Sequence, residues 1–194
     1  MIAKTGKVLN PIQAEAKGIC LKNLFVRSFV LFLLGLSLLL VSGCSKEEKG
    51  VVFGKAPDFS LKNLEGEEIA LSKLRGKVVL LDFWATWCGP CRESIPHLID
   101  LYKTYQPKGF TIIGMSVDKE NEEAALRRFV KSMDIPYSVV LSPESLARQY
   151  GISGIPTTFL IDREGKILEK IVGFNGTIAK HLTTRISELT GEKS

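Results

Sequence analysis

Hydrophobic positions fall into blocks whose spacing changes along the chain, and the spacing predicts the elements. Val78–Phe83 is an apolar run broken only by Asp82, which reads as a strand buried on both sides. After it, Ile95, Leu98, Ile99 and Tyr102 recur at helical spacing and predict a helix from Cys88 to about Tyr105. Pro96 lies inside that span and is expected to bend it. Phe110–Val117 is a second buried strand. Glu120–Ser132 is helical, with Leu126, Phe129, Val130 and Met133 on one face. A third strand at Tyr137–Leu141 and a short helix at Ser145–Tyr150 follow. Thr157–Ile161 and Lys166–Val172 flank Asp162-Arg163-Glu164-Gly165, which signals a hairpin, and Ile178–Leu189 closes the chain as a helix. Upstream, Asp58–Leu61 and Glu68–Leu71 surround Asn63-Leu64-Glu65-Gly66, the pattern of a small glycine-turn hairpin. Strands alternating with helices predict an α/β domain whose mixed sheet has helices on both faces.

The central strand leads directly into Trp87-Cys88-Gly89-Pro90-Cys91, where a helix is expected to start. Helix N-termini carry unpaired N–H groups and positive partial charge, so a thiol placed there ionises more readily. Pro90 fits a first turn, where its missing N–H would have had no partner. Two cysteines with two residues between them can close and reopen a disulfide, which makes the stretch a dithiol redox centre. Half of a structural zinc site is the competing interpretation. Such a site needs about four ligands, whereas there is no second Cys-x-x-Cys and His97 and His181 stand apart. The reading is no metal.

Residues 24–41 are nearly all apolar, with Lys22 just before them and Arg27 near their start, as in an export signal. Eighteen residues would barely cross a hydrocarbon layer of roughly 30 Å. This segment also changes the meaning of the formal charge of +5. Residues 1–44 hold five basic residues and one acidic residue, which leaves 21 basic against 20 acidic in the remainder. So even a balance gives no support for nucleic-acid binding. Of the four cysteines, Cys20 and Cys44 lie in the leading segment, and only Cys88 and Cys91 remain. The pair therefore reads as working chemistry, not a disulfide framework.

The spelling Asp82-Phe83-Trp84-Ala85-Thr86-Trp87-Cys88-Gly89-Pro90-Cys91, with Pro96 downstream, resembles the thioredoxin superfamily, and most closely its TlpA/ResA-like extracytoplasmic thiol-disulfide oxidoreductases. The resemblance covers roughly residues 52–189. It implies a thioredoxin fold with an extra N-terminal β-hairpin, and no cofactor beyond a redox-active Cys88–Cys91 disulfide. Cys88 would be the exposed nucleophile and Cys91 the buried resolving thiol. Asp82 would carry the Cys91 proton, with its pKa raised by its apolar run and its effect greatest below neutral pH. A simpler reading pairs Asp82 with a lysine such as Lys77. Gly154-Ile155-Pro156-Thr157 matches the family's cis-proline stretch. Clients would thus meet Trp87, Gly89, Pro90, Ile155 and Pro156, and Trp84 and Trp87 would pack around the site.

The sequence departs from the ResA-like pattern at two positions. Those proteins have Asn where Asp82 stands, and a Glu three residues after the second cysteine, where this chain has Ser94. Glu93 is one residue early, and a shift of one turns a helical side chain by about 100 degrees, so Glu93 is expected in solvent. Gly89-Pro90 is the thioredoxin spelling and favours a reductant near about −270 mV over an oxidant near about −120 mV. Val41-Ser42-Gly43-Cys44 resembles the bacterial lipobox, which implies a signal peptide over 1–43, a lipidated Cys44 with a short tether over 44–50, and an extracytoplasmic domain over 51–194 held at a membrane of the cell envelope. Clients would be protein disulfides or dithiols, apocytochrome c among them, with electrons from a membrane thiol donor. Two alternatives are a peroxiredoxin-like peroxidase, whose Pro-x-x-x-Thr-x-x-Cys setting is absent, and a non-catalytic tethered chaperone.

Overall fold

Every residue from Val78 to Trp84 is buried, which requires a strand covered on both faces. The structure is a computed structural model that describes residues 54–191. The signal peptide, Cys44 and tether assigned from the sequence lie outside the described residues. The elements in chain order are β1 (Ser60–Lys62), β2 (Glu68–Ala70), β3 (Val78–Trp84), α1 (Gly89–Tyr105), β4 (Phe110–Ser116), α2 (Glu123–Ser132), β5 (Ser138–Leu141), α3 (Glu144–Gln149), β6 (Thr157–Ile161), β7 (Ile167–Val172) and α4 (Gly176–Leu189). Among these residues no helix is long and apolar enough to cross a membrane.

The main sheet has the order β5-β4-β3-β6-β7. β3 pairs in parallel with β4, and β4 with β5. β6 lies antiparallel to both β3 and β7. The steps from β3 to β4 and from β4 to β5 run outward in one direction. Right-handed crossovers then place α1 and α2 on the same face. The packing agrees, because Ile95 and Leu98 of α1, Leu126 of α2, and Leu182 and Ile186 of α4 share one core cluster. The other face is covered by Leu146 of α3, and by Phe59 and Leu71 from the β1–β2 hairpin region. Alternation along β3 feeds both cores: Val78, Leu80 and Trp84 point to the first, and Val79, Leu81 and Phe83 to the second.

The expected mixed sheet, helices on both faces and N-terminal hairpin are all present. Several boundaries move for local reasons. The β1–β2 hairpin is shorter than its pattern, since Leu71 opens a 3-10 turn over Leu71–Leu74. Gly66 takes φ +88° in its loop, a conformation other residues rarely adopt. A 3-10 turn over Glu120–Glu122 precedes α2, which therefore begins three residues later than its periodicity implies. Conversely α4 begins earlier, because the Asn175 side chain accepts the Ile178 N–H at 2.9 Å and caps it. α1 continues through Pro96 and buries a wider arc than its spacing predicts, adding Leu101 and Tyr105. Its contact with both β4 and α4 is the cause.

Candidate active site

β3 stops at Trp84, and only Ala85, Thr86, Trp87 and Cys88 separate it from the first residue of α1. Cys88 is the N-cap of that helix, in extended backbone conformation, and not its first helical residue. Its sulfur stands where a serine or aspartate oxygen would cap, and accepts the Cys91 N–H at 3.3 Å. Gly89 and Pro90 fill the first turn, where no acidic side chain competes for the exposed N–H groups. Cys88 and Cys91 are joined as a disulfide, with Cα atoms 5.3 Å apart. The expected contrast between an exposed and a buried thiol is narrower than the sequence implied. Cys91 is fully buried, but Cys88 is itself only 6% exposed. Ile155 explains this, since its carbonyl oxygen lies 3.9 Å from the Cys88 sulfur. The Ile155–Pro156 peptide bond is cis, and Pro156 is buried beside the half-buried Ile155.

Asp82 is 1% exposed and shares a face of β3 with Leu80 and Trp84, whose cluster contains Cys91. Its cross-strand neighbour is Thr158, whose hydroxyl donates to Oδ1 at 3.3 Å. A hydroxyl, not Lys77, is therefore its partner. Burial pushes the carboxyl pKa up from 3.8 to about 7, and the Thr158 bond opposes only part of that. Tyr137 feels the same charge: its phenol is driven upward by burial first and by Asp82 second. Thus a buried carboxyl with its pKa pushed up to about 7 lies on the face of β3 whose core cluster contains the two cysteines. The hydrophobic pattern marked Asp82 as anomalous, but nothing in it singled out Thr158, which only the β3–β6 register supplies.

Ser94 is buried, and its hydroxyl donates to the Cys91 carbonyl at 2.8 Å. Glu93 is exposed, as the helical geometry required. The two tryptophans part company. Trp84 is core, stacked near Phe129 with ring centroids 5.6 Å apart, and Gly114 makes room for it: a Cβ there would lie 3.0 Å from the Trp84 Nε1. Trp87 is 68% exposed, so it does not pack around the site but stands out from it. With exposed Gly89 and Pro90 it forms the outer rim. Sequence reasoning overlooked Asp118. That residue is buried, and its carboxylate accepts from the Thr86 N–H, the Thr86 hydroxyl and the Ser116 hydroxyl. Among the described residues no three metal-ligating side chains cluster.

Residues 52–170 match the model of the AhpC/TSA family. The chain belongs to that family. Within it, the chain is 39% identical over 130 residues to the thiol-disulfide oxidoreductase ResA of Bacillus cereus (strain ATCC 10987 / NRS 248), covering 66% of this chain and 74% of that protein. With ResA of Bacillus subtilis (strain 168) the identity is 33% over 156 residues, covering 78% and 86%. Among solved structures, a thiol:disulfide interchange protein DsbE of Chlorobium tepidum superposes with a TM-score of 0.67 at 38% identity, covering 72% of this chain and 98% of that one. The family member described here is thus a ResA-like thiol-disulfide oxidoreductase with a thioredoxin-like fold. It places Asp82 and Ser94 where the sequence comparison with the ResA-like pattern expected Asn and Glu.

Proposed function

We propose that the Cys88/Cys91 dithiol reduces disulfides of exported proteins at a membrane surface. The observation that carries the reading is the capping geometry. The Cys88 sulfur already accepts an N–H of the helix start at 3.3 Å, so a thiolate there gains a hydrogen bond and the favourable end of the helix dipole. That thiolate attacks one sulfur of a client disulfide. A mixed disulfide with Cys88 forms, and the other client sulfur leaves as a thiolate that takes up a proton. Cys91 then loses its proton, attacks the Cys88 sulfur and expels the second client thiolate. Two electrons pass to the client, and the protein is left with the Cys88–Cys91 bond seen in the structure. Asp82 is the acceptor for the Cys91 proton, being buried on the same face and ionising near neutrality. Ile155 and Pro156 on one side, and Trp87, Gly89 and Pro90 on the other, form the surface met by the client.

The location follows from the leading segment. A basic stretch, an apolar run and Val41-Ser42-Gly43-Cys44 fit a lipoprotein signal, with Cys44 lipidated and the domain held in the cell envelope. A membrane thiol donor would return electrons to the Cys88–Cys91 disulfide, and a disulfide between the paired cysteines of apocytochrome c is a client of suitable chemistry.

The experiment is capture. Cys91→Ala should hold clients as mixed disulfides on Cys88, and Cys88→Ala should hold few. Equal capture by both variants would assign the nucleophile wrongly, and turnover of hydrogen peroxide at a rate exceeding disulfide exchange would favour the peroxidase alternative. For the anchor, mass spectrometry of the protein purified from membranes should find a diacylated Cys44 as its first residue. Any other first residue removes the lipoprotein reading.

A further inference from the structure

The connection from β3 to α1 is held from outside by one carboxylate. Asp118 follows β4, and its side chain takes the Thr86 N–H at 3.0 Å on Oδ2 and the Thr86 hydroxyl at 2.8 Å on Oδ1. Its remaining bond, from the Ser116 hydroxyl at 2.7 Å, ties it to its own strand, and Ser116 Oγ in turn accepts the Asp118 N–H at 3.1 Å. The backbone adds two bonds around it: Val117 N–H to the Trp84 carbonyl at 2.8 Å, and Cys88 N–H to the Ala85 carbonyl at 3.2 Å. A buried carboxylate met by hydroxyl and backbone donors, with no cation in the set, is costly unless every bond is kept. The residue it grips lies two positions before Cys88, and apart from Cys88 itself no further residue of the connection has a side chain bound across to another element. Ala85 has none to offer, and Trp87 points outward.

We propose that Asp118 is a positioning residue for the Cys88 thiol: through Thr86 it fixes the short bridge from β3 so that the sulfur stays over the helix N-terminus. This deepens the disulfide-reductase reading and rests on it. The cap requires Cys88 in one extended conformation, φ −85° and ψ 109°. If Thr86 is released, the chain entering the cap gains freedom, and the sulfur leaves the Cys91 N–H for part of the time. The thiolate then loses hydrogen bond and dipole together, and a client disulfide meets the sulfur less often in line.

The test measures two quantities on the full reduced chain: the Cys88 thiol pKa, from thiolate absorbance against pH, and the rate of reduction of insulin disulfides. Thr86→Ala removes one bond without changing charge. It should raise the Cys88 pKa and slow reduction several-fold, while Thr86→Ser should restore both. Asp118→Ala should go further, with a rise of about one unit and a loss of about tenfold, and Asp118→Asn should recover most of it. If Asp118→Ala does not fold, the Thr86 pair decides alone. Folded variants with lowered Tm but the parent pKa and rate would make Asp118 a brace only and overturn the proposal. A fall in pKa in both Asp118 variants, with none in Thr86→Ala, would assign the influence to charge and also overturn it. A parent chain that fails to reduce insulin, yet shows the expected pKa shifts, would support the positioning role and count against the reductase reading instead.

Discussion

The two faces of the sheet have different compositions, although the same strands build both. Below β3 and β6 the core is aromatic: Phe83, Tyr150 and Phe159 meet at tilted and edge angles with centroids 5.1 to 5.9 Å apart. Leu71, Leu81 and Ile161 fill the space between. The upper face, under α1, holds both cysteines, Asp82, Ser94 and Thr158 among its apolar side chains. Polar groups in a core lower stability unless each is satisfied, so their concentration on one side marks where chemistry has displaced packing. Aromatic pairs occur on both faces, with Trp84–Phe129, Tyr102–Tyr137 and Tyr105–Phe110 on the upper one, so it is the buried polar groups that set the upper face apart. Such pairs add roughly 0.5–1.5 kcal/mol each beyond burial, and the small hairpin closes over those of the lower face.

Mutations on the two faces should therefore separate reactivity from stability. Cys88→Ala has the largest effect: disulfide exchange should stop altogether while the thermal transition of the reduced protein barely moves. Residual turnover in a purified Cys88→Ala protein would place the reacting sulfur elsewhere. On the opposite face, Phe159→Ala should cost about 3–5 kcal/mol by urea unfolding, and leave the exchange rate per folded molecule within a factor of about two. A large change in that rate would mean that the faces are coupled through β6.

Asp82→Asn comes next and touches both properties. Asp82 ionises near 3.8 in the unfolded chain and at about 7 when folded, so the native state holds the proton more tightly. Its contribution to stability is full below 3.8, declines as pH rises through the interval, and levels off above 7. The amide lacks that decline, so above pH 7 the variant should be the more stable by an amount on the order of 4 kcal/mol, with the gap closing in acid. Urea unfolding of the oxidised forms at pH 5 and pH 8 checks the sign, and equal differences at both would refute it. The kinetic window moves too. Below 7 the parent carboxyl is already protonated, so the loss of exchange in Asp82→Asn should be greatest from about 7 up to the ordinary thiol pKa of about 8.5, not below neutrality as the sequence implied. Glu93→Gln should have the smallest effect, a rate change within about twofold, because the side chain stands in solvent. A large loss there would move the proton chemistry from β3 to a glutamate of the helix, as in the ResA-like group.

Much of this was legible in the chain. The apolar run at Val78–Phe83 announced a strand covered on both faces, and it is one. Asp82 stood out because a carboxylate inside such a run needs a reason. Glu93 and Ser94 were separated by helical angle alone, and they are exposed and buried respectively. Residues near one another in sequence have few geometric options, so local periodicity, capping and turn chemistry fix them. The dithiol and its helix belong to this class.

What folding alone decided are the contacts between distant segments. Thr158 reaches Asp82 across 76 positions only because β6 pairs with β3 in one register. Asp118 reaches Thr86 across 32 positions because β4 runs parallel to β3. The family resemblance implied an exposed Cys88, but Ile155, 67 positions away, comes within 3.9 Å of its sulfur. Trp84 and Trp87 are three residues apart and spelled alike, yet one lies in the core and the other in solvent. Strand alternation and the end of β3 separate them. Register and side of the sheet are set by the packing of all strands together, and a linear pattern does not carry that information.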